Sequence, residues 1–131
     1  MRNVLFVLAI VCMAFPAYAK RTTSTIDALD DLVAIATVTR DKTPHGKYEG
    51  DIVFSSGFNG TTQHLMVSVD DGATVAPVMD LTDVAYTKTS TGTVSFNWGW
   101  PTLDSQSAIF FISSAGGTSA PAITVTVDDN R

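Results

Sequence analysis

Three kinds of side chain in this sequence have types and spacings that could do chemistry. The first is a row of aromatics: Phe96, Trp98 and Trp100 fall at alternate positions, so a strand puts them on one face. Exposed, such a row stacks on the C–H faces of sugar rings; enclosed, it fills a core, which is the reading preferred for Phe96 and Trp98. Trp100, flanked by Gly99 and Pro101 at the end of the run, is the one expected to reach solvent as a sugar-stacking residue. The second is aspartate. The pairs Asp70-Asp71 and Asp128-Asp129, with Asp80 and Asp83, offer the oxygen ligands that calcium prefers. Aspartate also makes turns, because its carboxylate accepts from nearby backbone N–H groups. No D-x-D-x-D-G loop is present, so turns are preferred, calcium is the alternative, and no cofactor is expected. The third is histidine. His45 and His64 are the only two, neither has HxH or HxxxH spacing, and no motif ties either to a serine or carboxylate. Glu49 is the sole glutamate, and no pair of carboxylates for glycoside hydrolysis stands out.

The elements that must position these residues read as strands. Gln63 to Val69 alternates with Leu65, Val67 and Val69 on one face, and Asp70-Asp71-Gly72 then turns the chain. Thr93 to Trp100 puts Val94 with the aromatics and Ser95, Asn97 and Gly99 opposite. Ser107 to Ser113 and Ala122 to Val127 follow, the last with Ile123, Val125 and Val127 inward. A polar loop from Arg40 to Gly46 leads into a strand beginning near Lys47. Before it, Ile26, Leu29 and Val33 have helical spacing while Val33 to Thr39 is rich in β-formers; strands are favoured.

Composition narrows the function. The 131 residues are 45% hydrophobic and 16% charged, as expected of one globular domain. A formal charge of −5 opposes binding to a phosphate backbone, so no nucleic-acid partner is expected. Arg2, the apolar run Val4 to Phe15, and Pro16-Ala17-Tyr18-Ala19 have the three-part form of a signal peptide over residues 1–19. Its apolar run is shorter than a membrane span, so the expectation is export with cleavage after Ala19 and no transmembrane segment. Cys12, the only cysteine, falls inside it, with Val11 where a lipoprotein signal wants a small residue. The expected mature domain, residues 20–131, then has 7 basic and 13 acidic residues, a formal charge of −6, and no thiol chemistry. A disulfide-free exported domain suggests a bacterial source.

From Leu65 to Asp129 the chain resembles the immunoglobulin-like and fibronectin-III-like modules of bacterial secreted and cell-surface proteins. Met66 to Gly72 resembles their strand with an Asp-Gly turn, Val94-Ser95-Phe96-Asn97-Trp98 their aromatic-x-Trp strand, and Ser119 to Asp128 their closing strand. Trp100-Pro101 departs from the pattern, and Ala115-Gly116 stands where those modules often carry an acidic turn residue. The resemblance therefore carries no calcium site to that loop. What it implies is an all-β, Ig-like antiparallel β-sandwich of about seven strands from roughly residue 22 to 128, with Thr93 to Trp100 central. The expected function is a non-enzymatic surface-structural or adhesion module whose partner is a protein or glycan at the cell surface. A carbohydrate-binding module is one alternative. A pilus or filament subunit is the other, with residues 20–39 supplying a strand to a neighbouring copy.

Overall fold

The computed structural model describes residues 21–40, 46–102 and 104–129. The expected leader, His45 and most of the loop before Gly46 lie outside them. Nine strands follow in order: β1 Arg21–Ile26, β2 Leu32–Thr39, β3 Lys47–Phe54, β4 Thr62–Ser68, β5 Ala76–Pro77, β6 Thr87–Lys88, β7 Gly92–Gly99, β8 Ser107–Ala115 and β9 Ile123–Asp129. The protein is an all-β sandwich of two antiparallel sheets, ordered β1, β9, β3, β7 and β2, β8, β4, β5, with β6 also on β4. No helix forms among the described residues. Two of the nine are the short pieces into which Pro77 and the hairpin 78–86 break the last edge of the second sheet; counted as one edge, they leave eight strands against the seven or so expected.

The pairing is nested. β1 pairs with β9, β2 with β8, β3 with β7, and β4 with β5 and β6, as if one long hairpin were rolled so that successive strands fall in alternate sheets. That winding adds the contacts β3 with β9 and β4 with β8. It is the strand order of a jelly roll. In an immunoglobulin sandwich the first two strands share a sheet, whereas here β1 and β2 lie in opposite sheets.

Residues 20–39 were ambiguous by spacing alone. Asp30 takes φ of 55°, and its N–H donates to the Ser114 carbonyl at 2.9 Å, so a tight turn separates two strands where a helix would have put Leu29 inward. Leu29 is exposed instead.

Alternation fills the space between the sheets. Tyr48, Phe96 and Phe110 meet with ring centroids 5.1–5.7 Å apart, and Trp98 stands edge-on to Phe110 at 5.2 Å. Two expectations change here. β7 is an edge strand, not a central one: nested pairing gives it β3 on one side only. Val69 points to solvent, and the inward set is Gln63, Leu65 and Val67. β4 ends at Ser68 because its hydroxyl accepts from Gly72 N–H at 2.8 Å and starts the turn. Gln63 is tolerated in the core through its amide, which donates to Thr61 Oγ1 at 2.8 Å and Ser114 Oγ at 2.9 Å.

Candidate functional site

β3 and β7 together present two facing pairs of polar side chains. Their register sets Glu49 opposite Asn97 and Asp51 opposite Ser95. Since Tyr48, Gly50, Ile52 and Phe54 occupy the inward positions of β3, this quartet falls on the outer face. Asn97 Nδ2 donates to Glu49 Oε1 at 2.9 Å, and Ser95 Oγ donates to Asp51 Oδ1 at 2.6 Å. Each bond fixes a carboxylate that would otherwise rotate freely in water.

The polar row continues across the sheet. Asp128 on β9 is opposite Asp51, and Arg21 on β1 is opposite Asp128. Arg21 grips both oxygens of Asp128, from Nε at 2.6 Å and Nη2 at 3.3 Å. Gly50 lets the strands lie this close. A Cβ there would come 2.7 Å from the Asp128 carbonyl oxygen and 3.1 Å from the Phe96 ring, so any side chain would push β9 or that ring away.

Glu49, Asp51, Ser95 and Asn97, with Gly50, Phe96 and Tyr86, line an open depression of about 390 Å³. Tyr86 comes from the other sheet, held by bonds from its N–H to Val78 O at 3.1 Å and from Leu65 N–H to its own carbonyl at 3.0 Å. The lining combines carboxylate acceptors, an amide that both donates and accepts, a hydroxyl and an aromatic ring. That set suits a ligand dense in hydroxyl groups with some apolar C–H surface.

No family model matches the chain, and no curated protein matches it.

The residues singled out from sequence fall elsewhere. Trp100 is half-buried against the core, edge-on to Trp98 at 4.9 Å. The Arg40 guanidinium lies over its ring, 5.7 Å from the centroid, and is anchored by the carbonyls of Thr102 at 2.6 Å and Ser105 at 3.1 Å. One face of the expected sugar platform thus already holds a cation. Asp70 organises the turn after β4. Its Oδ1 accepts from Thr74 N–H at 2.8 Å and Ser68 Oγ at 2.7 Å, which holds its pKa below the ordinary carboxylate value, the Thr74 bond contributing most. Asp71 takes φ of 59° in the same turn.

Asp128 and Asp129 are not turn residues: both belong to β9, the first paired with Arg21 and the second buried. One aspartate pair therefore sits in the turn after β4 and the other in β9 of the opposite sheet, and they do not converge. Among the described residues, no three His, Cys, Asp or Glu side chains are grouped to hold a metal. His64 is half-buried on β4, opposite Thr87 and Ser113.

Sequence reasoning passed over the depression. Its trace is present as Glu49-x-Asp51 and Ser95-x-Asn97, two alternating polar pairs, but only the pairing of β3 with β7 turns them into one surface.

Proposed function

We propose that the chain is an exported, non-catalytic binding module whose ligand is a glycan, held on the outer face of β3 and β7. The observation that supports this reading is the pre-organised quartet: Asn97 on Glu49 and Ser95 on Asp51, beside Tyr86 in an open depression. Sugars present pairs of neighbouring hydroxyls, and a carboxylate or amide engages such a pair with two hydrogen bonds. Groups already bonded to one another lose little conformational freedom on binding, so more of the interaction energy appears as affinity. Tyr86, half-buried against the core, lines the depression, and its exposed part would meet the apolar face of a pyranose. Relative to the sequence-based expectation, the ligand site moves from Trp100 to β3 and β7.

A glycan array probed with purified protein tests the reading. Binding to a defined subset of glycans, with loss in Asn97→Ala and in Tyr86→Ala, is the expected result. Silence over the whole array, or binding that both variants retain, removes it.

A further inference from the structure

β7 is an unusual edge. Its eight residues run against β3 in continuous register from Gly92 to Gly99, with no bulge, no charged residue and no proline, and no described residue pairs with its other side. The remaining edges are blunted. β2 carries a register shift between Ala34 and Ala36, β1 begins with Arg21, and β5 and β6 are two-residue pieces.

A second feature lies at the same side of the sandwich. The hairpin 78–86 joins β5 to β6, and its base meets β7: Tyr86 shares the depression with Ser95, Phe96 and Asn97, while Thr87 and Lys88 share a small cavity with Val94. The hairpin exposes Leu81 at 95%, Val84 at 59% and Met79 at 46%. It is held in shape from within, since Asp80 Oδ1 accepts from Thr82 N–H, Thr82 Oγ1 and Val84 N–H at 2.7, 2.7 and 3.0 Å. A rigid hairpin displaying three apolar side chains beside an open strand marks a surface built to be covered.

We infer that β7 pairs antiparallel with β7 of a second copy of this chain, joining the two four-stranded sheets into one of eight across a two-fold axis at Phe96. The sequence of β7 suits self-pairing. About that axis, Ser95 faces Asn97 and Thr93 faces Gly99 on the outer surface, while Val94 faces Trp98 and Phe96 faces Phe96 on the inner one. Hydroxyl meets amide, β-branched meets aromatic, and no like charges oppose each other. The same axis carries both hairpins to the junction, where Leu81, Met79 and Val84 can be withdrawn from water. A second copy is thus the occupant that answers both the open edge and the apolar hairpin. Two depressions would also adjoin on one continuous sheet, although the pairing does not depend on what they bind.

Sedimentation velocity over a wide concentration range tests this with the wild-type protein, Leu81→Asp and Thr93→Lys. Both substituted side chains are exposed, so folding is preserved and is checked by circular dichroism. The expected result is a concentration-dependent dimer in the wild type, weakened about tenfold or more in each variant, with β7 amides gaining hydrogen-exchange protection as the dimer forms. A wild type that stays monomeric throughout overturns the inference. So does a dimer that neither variant weakens, or a ladder of larger species.

Discussion

Asp51 and Asp128 stand directly opposite one another on β3 and β9, two carboxylates on the outer face of one sheet, and each is secured by a different neighbour. Ser95 holds Asp51 at 2.6 Å and Arg21 holds Asp128 at 2.6 Å. Like charges in facing positions repel, so the pair is tolerable only while Arg21 balances it. Arg21→Ala is expected to lower the urea midpoint at low salt, and added salt should recover much of the difference, because screening weakens the uncovered repulsion. A loss that is independent of salt would mean that Arg21 contributes by packing instead.

Trp98 closes the core from an edge strand. It is 9% exposed and touches both Phe110 and Trp100. Trp98→Ala should destabilise the protein by about 3–5 kcal/mol in equilibrium denaturation, since neighbours held by two sheets cannot collapse into the space.

Both turn aspartates should make the protein sensitive to acid. Asp80 is held below the ordinary value of 3.8 by bonds from Val84 N–H foremost and then from Thr82, and Asp70 by Thr74 and Ser68. A carboxylate whose pKa is depressed on folding adds stability above its unfolded pKa, and that stability is lost as pH falls through the folded value. Carboxyl titration by NMR should therefore give midpoints below 3.8 for both. Asp80→Asn should flatten part of the loss of stability on acidification while raising amide exchange at Thr82 and Val84.

Local pattern made the strands and their inward faces legible: β7 and β9 alternate so regularly that Phe96, Trp98, Ile123, Val125 and Val127 could be placed in the core directly. The winding was not legible, because β1 meets β9 across nearly the whole chain and no local signal encodes that pairing. The position of β7 at an edge follows from the winding, as does the meeting of Glu49 with Asn97. Trp100 illustrates the same limit. Its neighbours Gly99 and Pro101 suggested exposure, whereas Arg40, sixty residues away in sequence, lies over its ring.

Removing residues 20–39 takes one strand from each sheet and strips Ile26, Ile35 and Val38 from the core. Because β1 pairs with β9 of its own chain, the truncated protein is expected to lose its β-sheet circular dichroism, while the full chain gives no SDS-resistant ladder. Ladders that disappear on truncation would instead establish exchange of this segment between subunits.

The most direct test of the glycan reading is an amide NMR titration of the isotopically labelled protein with oligosaccharides selected by the array. The account predicts shifts centred on Glu49, Asp51, Tyr86, Ser95 and Asn97, abolished by Asn97→Ala, with the sugar recovered unchanged. Shifts centred on Trp100 and Arg40, or hydrolysis of the sugar during the titration, would contradict it.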